Sequence, residues 1–166
     1  MKLPVCEVDL KSDILCPLCD ERLRSGQLSR LDFEICRILF QLGTEGKVPP
    51  TLSFKHAIEI PEIIVVVVGK GDVQTLVRSS TTRFLNKHFK KKVRVIEDTS
   101  DPKRFLPDLL YPAHILGINR VYLPEGKTQY KIRIPTEDEK RLPASRKSIE
   151  DFITKLTGQE MGVTFE

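Results

Sequence analysis

Residues 6–19, CEVDLKSDILCPLC, set out Cys6, Asp9, Cys16 and Cys19 in the pattern Cys-x2-Asp-x6-Cys-x2-Cys. Zinc takes four ligands in a tetrahedron, drawn from thiolate, imidazole and carboxylate. Two Cys-x2-Cys pairs would supply four sulfurs; here one of the four positions is a carboxylate, which can still coordinate through oxygen. The expected site is a structural zinc on Cys6, Cys16 and Cys19, with Asp9 as fourth ligand. Cys36 and Asp20 are alternative fourth ligands, although Cys36, beside Ile35, also suits a small buried apolar position. A segment of under 30 residues has little core of its own, and a metal would supply the missing ordering. A metal-free turn is the competing reading, as is a disulfide if the source is a hyperthermophile.

No other constellation suggests catalysis. His56, His88 and His114 are scattered, and no Ser-His-Asp or Cys-His pattern has the context that chemistry would need. Gly69-Lys70-Gly71-Asp72 follows an apolar run but lacks the spacing of a phosphate-binding P-loop. We therefore expect neither an enzyme nor a small-molecule substrate. Charge is more informative. The net charge is only +4, but Val73 to Ile96 contains no Asp or Glu and seven basic residues: Arg78, Arg83, Lys87, Lys90, Lys91, Lys92 and Arg94. Such a local excess favours a polyanionic partner; the bland alternative is a solvated helix face. No apolar run reaches the roughly 18 residues of a membrane span, and the N-terminus lacks a secretory h-region. The expected location is cytoplasmic, without membrane contact.

The elements that must position these residues follow from periodicity. Ser29 caps a helix, with Asp32 three residues on; Leu31, Ile35, Ile38, Leu39 and Leu42 form its apolar face and Gly43 ends it. Alternation over 54–60 predicts a half-buried strand with Phe54, His56, Ile58 and Ile60 on one side. Ile63–Val68 predicts a buried central strand. Asp72 should cap a short helix over Val73–Val77, Arg78-Ser79-Ser80-Thr81 interrupts, and a second helix covers 82–89 before a strand through Val93 and Val95. The remainder repeats the order. Asp101 caps a helix to about Leu110 that Pro107 should kink or shorten. Ala113–Leu123 is a strand, PEGK a hairpin turn, and Tyr130, Ile132 and Ile134 lie on one face of the next strand. A short helix over 136–142, an interruption at Pro143-Ala144-Ser145-Arg146, a helix over 148–157 stopped by Gly158, and a last strand over 161–165 complete it.

The α-β-β-α-α-β unit, with a short interruption between its middle helices, resembles a type II KH domain. Two in tandem, with VVVVGKGDVQTLV leading into the first interruption and FITKLTGQEMGV closing the second, resemble the archaeal NusA-like transcription factors, in particular members with an N-terminal cysteine knuckle. The resemblance covers nearly the whole chain. It implies an α+β fold: a knuckle over 1–27 and KH-like units over 28–98 and 99–166. It also implies non-catalytic binding of single-stranded RNA in transcription elongation or termination. In such domains a G-x-x-G loop clamps the backbone of about four nucleotides, because a loop packed on phosphates tolerates no Cβ.

Both loops here depart from that pattern, since neither Arg78-Ser79-Ser80-Thr81 nor Pro143-Ala144-Ser145-Arg146 contains glycine. The first keeps hydroxyls and Arg78, which can hold phosphate through side chains. The second begins with proline, which removes a donor, and Lys140, Arg141, Arg146 and Lys147 sit among acids. The expected RNA contacts are therefore Lys70, Arg78, Ser79, Ser80, Thr81, Arg83, Lys87 and Lys90, all in the first unit. The rival reading is a protein-interaction module that docks on RNA polymerase or a ribosomal particle, its clamp loops having lost glycine because RNA is no longer the ligand.

Overall fold

Six consecutive β-branched residues give Ile63–Val68 no polar side chain to turn toward water, and all six are buried. In the computed structural model, which describes all 166 residues, this strand, β2, runs between β1 (Phe54–Glu59) and β3 (Lys92–Glu97). β1 and β2 pair antiparallel. Three helices belong with this sheet: α3 (Arg30–Thr44), α4 (Asp72–Arg78) and α5 (Thr81–Phe89), numbered after two short N-terminal helices, α1 (Glu7–Ser12) and α2 (Pro17–Ser25). One hydrophobic cluster joins Ile64, Val66 and Val68 of β2 to Ile35 and Leu39 of α3, Leu76 of α4 and Leu85 of α5. It also takes in Val5, Leu10, Cys19 and Leu28, so the cysteine segment shares this core. The chain divides into two compact units, Met1–Glu59 with Ile64–Asp98, and Ile60–Ile63 with Thr99–Glu166.

The start of α3 is held by a reciprocal capping box. Ser29 Oγ accepts from the Asp32 backbone N–H at 3.0 Å, and Asp32 Oδ2 accepts from the Ser29 N–H at 3.0 Å. The other Asp32 oxygen accepts from the Ala57 N–H on β1 at 2.7 Å. One buried carboxylate thus caps the helix and ties it to the sheet. That bond sits near an irregularity of β1, whose register shifts between Phe54 and His56. The shift changes the expected facing: Phe54 and Ala57 are the buried residues of the strand, whereas His56 and Ile58 are half-buried. Residue Lys2 extends the sheet beyond β1, donating to Leu52 O at 2.8 Å and accepting from Phe54 N at 2.9 Å.

The second unit contains α6 (Pro102–Leu110), β4 (Gly117–Tyr122), β5 (Thr128–Ile134), a 3-10 helix (Thr136–Arg141), α7 (Arg146–Thr157) and β6 (Glu160–Phe165). β5 is central, antiparallel to β4 and parallel to β6. Helix α6 runs its predicted length with Asp101 accepting from the Lys103 N–H at 3.1 Å, and Pro107 does not end it. Strand β4 starts four residues later than alternation suggested. The preceding stretch is pinned instead by the buried Asp138, whose carboxylate accepts from the His114 backbone N–H at 2.8 Å and lies 2.9 Å from its ring Nδ1. Arg141 approaches the other oxygen at 3.1 Å. The expected short helix over 136–142 is the 3-10 turn that presents Asp138. Overall the molecule is α+β, with two three-stranded sheets, and no helix is long and apolar enough to cross a membrane.

Two stability predictions follow from these carboxylates. Asp32→Ala strands the buried Ala57 N–H and uncaps α3, and should cost about 2–3 kcal/mol in urea unfolding. For Asp138, the His114 backbone N–H above all, then the His114 ring and Arg141, hold the carboxyl below its ordinary value of 3.8. A depressed carboxyl stabilises the fold fully above its unfolded pKa and ceases to do so as pH falls through the lower folded value. The stability gap between wild type and Asp138→Asn should be widest at neutral pH and close below about pH 4. A gap constant down to pH 2 would disprove the linkage.

Candidate metal centre and nucleic-acid interface

The sequence spacing places the four N-terminal ligand candidates in two matching turns. Cys6 is the N-cap of α1 and Asp9 lies three residues on; Cys16 is the N-cap of α2 and Cys19 again lies three residues on. A residue at the cap and one at the third helical position lie on the same side of the first turn, so each x2 pair presents two side chains together. The two turns converge. One sulfur or oxygen from each of Cys6, Asp9, Cys16 and Cys19 lies within 4.8 Å of all the others. Cys6 Sγ and Cys19 Sγ are 3.6 Å apart, close to the roughly 3.8 Å edge of a tetrahedron with 2.3 Å metal–sulfur bonds.

The fit of a cation can be tested on Asp9 itself. Its carboxylate is buried, and Oδ2 has no hydrogen-bond partner. A buried, unpaired anionic oxygen is costly, and a metal ion among these four groups would satisfy it. In the protein alone, a hydrogen bond from the Cys19 thiol chiefly holds Asp9 below the usual carboxylate range. Burial, then Asp9, pushes Cys19 up to about 12. The four groups could therefore hold a metal ion. The two alternative fourth ligands stand elsewhere: Cys36 is buried in the hydrophobic cluster, and Asp20 pairs with Arg24 at 3.0 Å.

The eight residues expected to contact RNA do not form one patch. Arg78 ends α4, Ser79 is its C-cap, Ser80 is the N-cap of α5, and Arg83 and Lys87 follow one turn apart on α5. Lys90 closes α5 in the left-handed region at φ 55°. Arg78, Arg83, Lys87 and Lys90 are all exposed, and none makes an ion pair. Lys70 is separate. It lies in the turn before α4, at the opposite end of that helix from Arg78, and borders a groove of about 500 Å³ with Lys2 and Lys55.

Three further assignments change. Thr81 is buried, and its hydroxyl faces the interior, so it is removed from the phosphate-contact set. The Ser79 hydroxyl is committed to the turn, donating to Leu76 O at 2.8 Å and accepting from Thr81 N at 3.3 Å. Asp72 does not cap α4; Gly71 occupies that position, and Asp72 accepts from the Ser53 N–H at 3.0 Å. Of the remaining basic residues, Lys91 is paired with Glu59 at 2.6 Å. The aromatic content of α5 was missed as a functional signal. Phe84 is 46% exposed and stacks near-parallel on His88, which lies 2.7 Å from Glu34 on α3. The i, i+4 spacing of two rings beside Arg83 and Lys87 is visible in the sequence.

No family model matches the chain, and no curated protein is similar to it. The fold nevertheless recurs, since 73 chains of solved structure match. One is the crystal structure of APE1850, with TM-score 0.52 and 19% identity over 80% of this chain and 98% of that one. An identity that low speaks for a shared fold alone.

The centre yields one prediction. Protein purified without added metal should carry about one equivalent of transition metal per chain by elemental analysis. Cys19→Ala should lose it, and Asp9→Cys should bind more tightly. A value near zero, with unmodified cysteines, would remove the site.

Proposed function

We propose that this chain is a non-catalytic single-stranded RNA-binding protein, built from two KH-like units and an N-terminal zinc knuckle. The observation that carries this reading is a run of exposed, unpaired cations: Arg78 at the α4–α5 corner, Arg83 and Lys87 along α5, and Lys90 at the far end of that helix. Phosphate contacts of this kind supply most of the affinity of a sequence-tolerant nucleic-acid binder. Supporting it is the element order: each unit has a helix, two antiparallel strands, two helical segments and a closing strand. That is the order in which KH-like domains place a nucleotide-holding corner between their middle helices.

The second unit is the structural partner in this reading. Its corresponding corner, ahead of α7, already holds an internal anion. The Ser145 backbone N–H donates to Glu62 Oε1 at 3.4 Å, and Arg146 is paired with Glu150 at 3.0 Å. Zinc is the metal we assign to the knuckle, because three sulfurs and one carboxylate oxygen within 4.8 Å of one another suit it better than magnesium or calcium. Its role is structural. The proposed setting is transcription elongation or termination, with nascent RNA as ligand.

A protein-docking reading is favoured by one feature, the exposure of Val8, Ile14 and Leu18 around the metal centre. On that reading RNA polymerase or a ribosomal particle would be retained after nuclease treatment of a pull-down.

The direct test titrates labelled single-stranded RNA at about 50 and about 200 mM salt; four phosphate contacts on a single strand should weaken binding about 50-fold across that range. Changing Arg78, Arg83 and Lys87 together to Ala should abolish most affinity and flatten the salt slope by about 2. A triple variant that binds like wild type would refute the proposed surface.

A further inference from the structure

We propose that the cleft between α3 and α5 is a nucleobase pocket, in which a base of the bound strand stacks on Phe84 while its edge meets the polar wall of α3. This rests on the RNA-binding reading above and names where one base goes. The cleft has a volume of about 430 Å³ and is lined by Phe84 and His88 from α5 and by Glu34, Arg37, Ile38 and Gln41 from α3, among others. That is ample for a purine or pyrimidine.

The lining has the composition of a base site. Phe84 is a large aromatic left 46% exposed in the same unit that buries Leu76, Leu85 and Ile35 almost completely. Its ring and that of His88 are near-parallel, with centroids 6.3 Å apart and an interplanar angle of 11°. His88 is held in that attitude from two sides: Glu34 Oε1 lies 2.7 Å from its Nε2, and Phe89 meets it edge-on at 4.9 Å. His88 is therefore held before a ligand arrives, with its ring parallel to that of Phe84, and ordering it costs little entropy on binding.

The opposite wall offers directional groups. Arg37 is positioned by an ion pair with Asp13 at 3.0 Å, and its guanidinium has more donors than that contact uses. Gln41, one turn further along α3, carries both a donor and an acceptor. Base edges present the same mixture. A purely aliphatic ligand would leave these groups facing apolar surface, which disfavours it.

Charge explains why the occupant is a base on a strand. Arg83 and Lys87 each precede one of the two rings, so they sit about 100° round the same helix. They are exposed and unpaired. A backbone tracking Arg83 and Lys87 would bring a base within reach of Phe84. Stacking of this kind is tolerant of base identity, which suits a protein whose loops no longer carry the usual glycine clamp.

The test uses single-stranded RNA containing 2-aminopurine, whose fluorescence is quenched by stacking. Wild type should quench it. Phe84→Leu keeps an apolar side chain of similar reach but no π-face, and should lose the quench and bind about 5- to 100-fold more weakly. Phe84→Tyr should retain both. If Phe84→Leu binds and quenches like wild type while the Arg78/Arg83/Lys87 variant has lost binding, the pocket is wrong and the RNA reading survives. If wild type does not bind RNA at all, both fail. A free nucleoside monophosphate is the second arm: binding as tight as that of the oligonucleotide would overturn assignment of the pocket to a strand.

Discussion

A strand made only of isoleucine and valine cannot sit at the edge of a sheet facing water. β2 imposes that condition on the first unit. It needs a neighbour on each side, which β1 and β3 provide, and apolar helices over the sheet, which α3, α4 and α5 provide. It also fixes where the chain can turn. Only Gly69-Lys70-Gly71 separates β2 from α4. A Cβ at Gly69 would lie 3.0 Å from Asp72 Oδ2 and 3.1 Å from Ser53 Cβ, and Gly71 adopts φ +85°. The turn is therefore a tight one that glycine permits, and it sets the direction of α4. The α4–α5 corner follows within a few residues. With Leu76, Thr81 and Leu85 committed to the interior, the residues left outside include Arg78, Arg83, Lys87 and Lys90 together with Val77, Phe84 and His88. The cationic edge is thus a consequence of how β2 is buried, together with the absence of acids over 73–96.

Strong local signals were legible in the sequence. Ser29 with Asp32 announced a capping box that is present in full, and β2 needed only its composition. The failures have physical causes. Alternation along 54–60 assumed an unbroken pleat, but the register shift between Phe54 and His56 changes which side chains turn inward. Pro107 argued for a break, yet α6 continues through it. Asp72 looked like a cap because local spacing cannot reveal that a residue 19 positions away, Ser53, offers its backbone N–H. Thr81 looked like a phosphate ligand for the same reason: its burial is decided by packing across the unit. Helices α1 and α2 were missed because each is short and its first turn is occupied by metal-ligand types rather than by an apolar period. The four-residue cluster itself was legible, because x2 spacing at a cap and third helical position is both a ligand pattern and a helix start.

A carboxylate at Asp9 beside three cysteines differs less from a four-thiolate site than it first looks. Three thiolates and a carboxylate carry the same formal charge as four thiolates, so the electrostatic balance with a divalent ion is preserved. What changes is the donor: oxygen is harder than sulfur and binds zinc less firmly in such a set. The surroundings compensate by burying Asp9 and leaving Oδ2 without a competing partner. Val5, Leu10 and Cys19 belong to the same hydrophobic cluster as α3 and β2. A metal that orders this segment therefore acts on the core of the whole first unit, coupling ligation to its stability.

The two glycine-free corners solve the same backbone problem in different ways, and the proposed difference in their roles rests on that contrast. Where two helical segments meet, backbone donors at the start of the second one need acceptors. Ahead of α5, the Ser79 hydroxyl takes the Thr81 N–H, a neutral local solution that adds no negative charge to the corner. Ahead of α7, Glu62 takes the Ser145 N–H and also lies 3.5 Å from the Ser148 hydroxyl. A carboxylate there neutralises the positive end of a twelve-residue helix, which is where an incoming phosphate would otherwise be attracted. A phosphate approaching α7 must displace a resident anion, whereas one approaching α5 meets only cations. Under the proposed reading the first corner can take a phosphate without glycine because only a neutral hydroxyl of its own occupies it, whereas a carboxylate already occupies the second.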